Sequence, residues 1–359
     1  MSGLLSELTS LPNLHPALVH FPIALAAAAL AIDGLTLILR IRERMDLAIA
    51  LLYSMAALGG IGTYLTGRQA ADSVGQIKAA AEPVLAEHAD LALLAMIALI
   101  LAAVLRAAAA IIKKGRVAAV VIAVAILLMA VANGLVAVTA DHGGALVYRH
   151  GVAVSLQTSE GRAPRPESAE ASSRQLEHGD DGSLVWNPVA DSFDTVLQPA
   201  DGASDDVLKL SERATDEAGG MWVEVAGSTV VCLPGRFGDV VVTATVDLSG
   251  FEGIIGLGHH IQSADDGVFF TVNSNGDAEL VRRTEGEDTS MDRAKTSLST
   301  GPVTLRTTVS GRHLKGQVNE STVVHGHGSS GDQGAVGLVL DGGGLIRIIQ
   351  VSVDPAAEH

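Results

Sequence analysis

Cysteine is nearly missing from the chain: Cys232 stands alone, so no intramolecular disulfide can form. No CxxCH occurs either, which excludes ordinary covalent haem attachment and leaves side-chain ligation as the only way to hold a haem. Aromatic residues make up only 3% of the chain, and the two tryptophans, Trp186 and Trp222, are expected to serve a core rather than a sugar-stacking platform. Positive charge is scarce after residue 150: the net charge is −17 over residues 151–359 but +1 over residues 1–150. A nucleic-acid partner is therefore not expected, because phosphate backbones are gripped by Lys and Arg. No Lys or Arg precedes the first apolar run, so a cleaved signal peptide is not expected and the first helix should stay as an anchor.

Charge is also missing from four long apolar runs, residues 14–39, 47–67, 88–112 and 117–140. The second and fourth have no charged residue, the first only Asp33, the third only Asp90 and Arg106. Each is long enough for a membrane span, which needs about 20 residues. Short loops rich in Lys and Arg are retained on the cytoplasmic side. Arg40, Arg42 and Arg44 follow span one, and Lys113, Lys114 and Arg116 follow span three. Both termini and the 68–87 loop are then expected on the opposite, periplasmic side of a bacterial inner membrane. Asp33, deep in span one, is expected to be neutral and hydrogen-bonded, or else to mark a proton route or quinone contact.

Residues 156–185 are rich in Ser, Glu, Arg, Pro and Gly and poor in large apolar residues, the composition of a flexible tether. Beyond it, alternating runs such as VVVTATVDL from Val240 and PVTLRTTVSGRHLKGQV from Pro302 are separated by turn residues. That pattern predicts an antiparallel β-sandwich. The expected organisation is an all-α four-helix transmembrane bundle over 1–155, a linker over 156–185 and an all-β jelly-roll sandwich over 186–354. The order of runs over residues 190–353 resembles the concanavalin A-like jelly rolls, which include laminin-G-like and glucanase-like modules. Glucanase members carry clustered acidic residues on one strand; no such cluster is present, which argues against hydrolysis.

The mouth of the first span reads LHPALVHFP, with His15-Pro16 and His20-Phe21-Pro22. His88 begins span three, and His142-Gly143-Gly144, Tyr148 and His150-Gly151 follow the fourth run. These residues resemble the bacterial membrane family called domain of unknown function 2231, over about residues 11–155. The resemblance implies a four-helix membrane unit and no secure activity. On the topology above, His15, His20, His88, His142 and His150 share one side of the membrane. Imidazoles from facing helices can hold a haem, and His20 and His88, of similar depth, form the expected axial pair. Pro16 and Pro22 leave carbonyls that a haem propionate could reach.

Electron transfer through noncovalent haem b near the periplasmic face is thus the first functional expectation, with copper or zinc as the alternative ligand. The second is a non-catalytic accessory subunit of a respiratory or photosynthetic membrane complex, its jelly roll binding a glycan or partner protein. Expected partners are the lipid bilayer, neighbouring complex subunits, a periplasmic cytochrome or a glycan. No catalytic residue is assigned, and at most a redox carrier is expected rather than an enzyme. His259-His260 and His325-Gly-His327 lack acidic or cysteine partners at zinc-site spacing and read as exposed loop residues.

Overall fold

The computed structural model describes residues 14–73, 77–112, 115–152, 176–188, 196–204, 207–215, 220–298, 301–328 and 332–356. The chain forms two compact units, residues 1–74 with 87–152, and residues 75–86 with 153–359.

The first unit is helical. A single turn, α1 (His15–Leu18), leads into α2 (His20–Ile38), followed by α3 (Arg42–Ser73), α4 (Glu82–Ile112) and α5 (Arg116–Tyr148). Among the described residues, four helical segments are long and apolar enough to cross a membrane. Their packing is that of a bundle in lipid. Small residues fill the interior (Ala26, Ala29, Ala56, Ala102, Ala125 and Ala132 have no exposed surface) while Ile38, Leu47, Leu58 and Ile111 point outward. Small side chains let helix backbones approach closely, which is how helices associate where lipid removes the hydrophobic driving force. Asn133 ties α5 to α2 through a hydrogen bond to Ala26 O at 3.2 Å.

Pro16 occupies the first turn of α1, where its missing N–H costs nothing. Pro22 sits inside α2 and leaves Leu18 O without its helical donor. Thr63 Oγ1 of α3 donates to that oxygen at 3.2 Å. The carbonyl expected to await a propionate is therefore already taken by a neighbouring helix.

The second unit is an antiparallel sandwich, with thirteen strands among the described residues. One layer runs β1 (Leu176–His178), β2 (Leu184–Trp186), the end of β13 (Ala335–Pro355), the start of β6 (Val240–Ser263), β10 (Pro302–Ser310), β11 (His313–Val318) and β12 (Ser321–His327). The other contains β3 (Gln198–Pro199) and β4 (Leu208–Thr215) beside β5 (Met221–Cys232). It continues through the start of β13 and the end of β6 to β7 (Asp266–Asn273), β8 (Asp277–Thr284) and β9 (Glu287–Lys295). β6 and β13 pair along nearly their whole lengths and so belong to both layers. Where they bend, Gly342, Gly343 and Gly344 lie opposite Gly253, Glu252 and Phe251. A Cβ on Gly253 would stand 2.2 Å from Asp341 O, and one on Gly344 2.1 Å from Gly250 O, so side chains are excluded at the bend.

Alternate residues of the strands, among them Val242, Val246, Leu257, Phe270, Leu305, Leu338 and Val351, fill one core between the layers. Trp186 is fully buried in that core, as expected, whereas Trp222 is half-buried with the Arg347 guanidinium over its ring at 5.9 Å. Among the described residues the sheet begins at Leu176, so the last ten residues assigned to the tether are strand and turn; Leu184 pairs with Val353 and is buried. The rest of the tether, residues 156–175, lies outside the described residues.

Candidate functional site

Two of the five predicted histidines are held in the same way. His15 Nδ1 lies 3.0 Å from Thr63 O of α3, and His88 Nδ1 lies 2.9 Å from Thr139 O of α5. A carbonyl oxygen only accepts, so in both rings Nδ1 carries a proton, and in the neutral ring Nε2 then carries the lone pair. That tautomer, fixed by a backbone acceptor, is the one a metal-ligating histidine uses. Glycine makes room for each ring. A Cβ on Gly67 would be 2.9 Å from His15 Cε1, and one on Gly143 would be 3.2 Å from His88 Cε1.

The two arrangements repeat along the sequence. His15, Thr63 and Gly67 recur as His88, Thr139 and Gly143, and in each case the glycine follows the threonine by four residues, one helical turn. Each threonine hydroxyl also serves a backbone carbonyl, Thr63 that of Leu18 and Thr139 that of Leu135.

His142 differs in its bonding. Its Nδ1 faces Val138 O at 2.9 Å and its Nε2 faces Glu87 Oε2 at 3.2 Å, so both nitrogens act as donors and neither is set to coordinate. His20 is exposed, His150 is half-buried beyond α5, and neither makes a side-chain hydrogen bond among the described residues. The structure thus sets His15 and His88 in matching backbone-held positions and places His142 next to His88 through Glu87 and Gly143, and no hydrogen bond or ring contact joins His20 to His88 among the described residues.

A second polar cluster lies deeper in the helices. Asp33 is fully buried and hydrogen-bonded, as expected from the sequence, and its partners include two guanidinium groups: Arg42 Nη2 lies 2.7 Å from Oδ1, while Arg106 Nε at 3.1 Å and Tyr53 Oη at 3.2 Å reach Oδ2. Arg106, also fully buried, extends Nη2 to Asp46 at 2.8 Å. Asp33 follows His15 by eighteen residues and Arg106 follows His88 by the same number, so matched positions of the two repeats meet as an ion pair.

The sandwich histidines are on strands, not in exposed loops. His259 and His260 are buried in β6 with their Nδ1 atoms 2.9 Å apart, and both buried Nε2 atoms have no hydrogen-bond partner among the described residues. Burial, reinforced by the neighbouring His260 and Arg282, holds the His259 imidazole down to about 3. Cys232 ends β5 half-buried, and burial pushes its thiol up to about 11.

Residues 11–156 match the family described as Predicted membrane protein (DUF2231). The match takes in α1 to α5 and all five predicted histidines. No curated protein matches the sequence. Among solved structures, the sandwich is similar to the Bacillus licheniformis β-glucanase, at 10% identity over 50% of this chain and 100% of that one, with a TM-score of 0.38. It is also similar to the Bacillus subtilis carbohydrate-binding module CBM66, at 14% identity over 40% and 94% of the two chains, with a TM-score of 0.32. The Caenorhabditis elegans galectin LEC-6 is similar at 13% identity over 42% and 97%, with a TM-score of 0.27. These likenesses concern strand arrangement and reach no ligand.

Thr63, Thr139, Glu87, Tyr53 and Asp46 were not singled out by the sequence reading. The signal that could have found the threonines is the repeat itself, a threonine one turn before a glycine near the end of each second helix.

Proposed function

We propose that the helical half is an electron-transfer unit that holds a noncovalent b-type haem through His15 and His88. The observation that carries this reading is the shared tautomer: two imidazoles from different helices, each with Nδ1–H given to a backbone carbonyl and Nε2 bearing the lone pair. The donor set fits the group, since paired neutral imidazoles are axial ligands of b-type haem. Gly67 and Gly143 let each ring lie directly against the helix backbone. Haem, when bound, supplies one-electron iron chemistry. His142, held by Val138 and Glu87, stays out of coordination. His20, expected from its depth to pair with His88, has no place in this arrangement.

The basic residues Arg40, Arg42, Arg44 and Arg116 support an orientation with both basic loops in the cytoplasm. The histidine end and the sandwich then lie on the periplasmic side of the inner membrane, where a quinol and a periplasmic cytochrome are the fitting redox partners. A C-terminal reporter active only in the cytoplasm should stay silent; strong activity there overturns the orientation.

The haem reading is tested on full-length protein purified in detergent from cells supplied with haem precursor. The expected result is a Soret band and a reducible b-type spectrum, lost in His15→Ala and in His88→Ala and retained in His20→Ala. Protein from well-loaded cells that carries no haem overturns the reading. Copper or zinc in stoichiometric amount without a Soret band would point to a bare metal ion at the same histidines. Neither haem nor metal would leave the helices as the anchor of an accessory subunit.

A further inference from the structure

The hairpin β11–β12 places three imidazoles side by side. His313 opens β11 and His327 closes β12, and the two are direct cross-strand partners. His325, two residues before His327, projects from the same face because side chains alternate along a strand. One nitrogen from each ring can be chosen so that all three lie within 4.8 Å of one another. His313 Nδ1 lies 3.4 Å from His325 Nε2. The rings of His313 and His327 stand 4.8 Å apart edge to face, as do those of His325 and His327 at a tilt.

We propose that His313, His325 and His327 form a binding site for a divalent late-transition-metal ion of the zinc and copper class. Four nitrogens at about 2.05 Å around a tetrahedral ion are about 3.3 Å apart. The His313–His325 separation already has that length. The remaining edges are closed by rotation of His327, which is exposed while His313 is buried and His325 half-buried. Neutral imidazole is the ligand type that suits zinc, copper and nickel rather than magnesium or calcium. The facing layer supports the arrangement: Asp292 Oδ2 of β9 accepts the His325 backbone N–H at 2.8 Å, fixing the strand on which two of the three ligands sit. Three protein ligands leave the fourth position to water on the exposed His327 side, the coordination of an open site rather than a closed structural one. The ion would also clip the open end of the hairpin. The site shares no residue with the helical histidines, so it stands whether or not the haem reading does.

The test uses full-length protein stripped with chelator, in a His15→Ala/His88→Ala background that removes the two helical imidazoles proposed as haem ligands. Co²⁺ serves as the spectroscopic probe, with Zn²⁺ in competition. The expected result is one equivalent of Co²⁺ with the strong visible absorption of a four-coordinate ion, displaced by Zn²⁺. His325→Ala and His327→Ala should each weaken binding by at least about tenfold, the loss reported for disturbing even outer partners of a metal site. His178→Ala, on the exposed strand β1, should bind as the parent does. If His325→Ala unfolds the sandwich, tryptophan fluorescence reveals it, and His327→Ala, at an exposed strand end, carries the test alone. No stoichiometric uptake, uptake unchanged by both substitutions, or only the weak absorption of a six-coordinate ion would each overturn the proposal.

Discussion

Replacing Asp33 by Leu should destabilise the helical unit by about 3 kcal/mol, the low end of what breaking a buried ion pair costs. Asp33 has no exposed surface and serves Arg42, Arg106 and Tyr53 at 2.7–3.2 Å. Without it, Arg106 keeps Asp46 at 2.8 Å, which is why the low end applies. Arg106→Leu should cost less, about 1–2 kcal/mol. It leaves Asp33 with Arg42 and Tyr53, and it leaves Asp46, which is 27% exposed, able to reach water. The double variant Asp33→Leu/Arg106→Leu should be more stable than Asp33→Leu alone by about 1 kcal/mol, because the stranded guanidinium is gone. Both tryptophans lie in the sandwich, so fluorescence would miss the event. Helical far-UV ellipticity during SDS-driven unfolding is the measurement to make. Strictly additive losses, or single losses below about 0.5 kcal/mol, would refute the coupling of these charges.

Glu82 accepts from Lys315 Nζ at 2.9 Å and lies 3.5 Å from Arg306 Nη2, which also donates to Ile77 O at 2.7 Å. Glu82→Gln should loosen the 75–86 segment on the sheet. Amide hydrogen exchange around Ala79–Ala81 should rise about tenfold, in keeping with the roughly 1.5–3 kcal/mol of a charged hydrogen bond. The sandwich should also lose stability in mild acid because of His259. The unfolded chain takes a proton on this residue below 6.5, whereas the folded one does so only near 3. The contribution is therefore complete above pH 6.5 and falls as pH drops toward 3. Between pH 6.5 and 5 the loss is about 2 kcal/mol. Tryptophan-monitored denaturation at the two pH values checks it, and His259→Leu should flatten the slope.

The spans were legible because lipid demands long uncharged runs, and the sandwich because alternation of Val, Ile and Leu with polar residues has only one use at that period. The tether's end was not: LEHGDDGSLVW offers little apolar pattern, and its strands exist because β13 supplies an edge for Leu184 and Trp186 to complete. Counting residues gave each histidine a depth but no azimuth. His15 and His20 begin the same span, yet the break at Val19 separates their turns, and only His15 reaches Thr63. Asp33 and Arg106 were each visible, but that they meet depends on which helices are neighbours. His313 gave no signal because its bond to the His325-Gly-His327 motif is one of strand register, and register crosses fourteen residues of sequence.

The bent strands β6 and β13 have a consequence for how the sandwich yields under load. In a sandwich whose layers are joined only by loops, one layer can peel from the other by sliding apart their side chains. Here two adjacent strands pass through both layers, hydrogen-bonded to each other along the way. Pulling on either end of the domain loads one continuous ladder, so the layers should rupture together, as a single event rather than a sequence of unzipping steps.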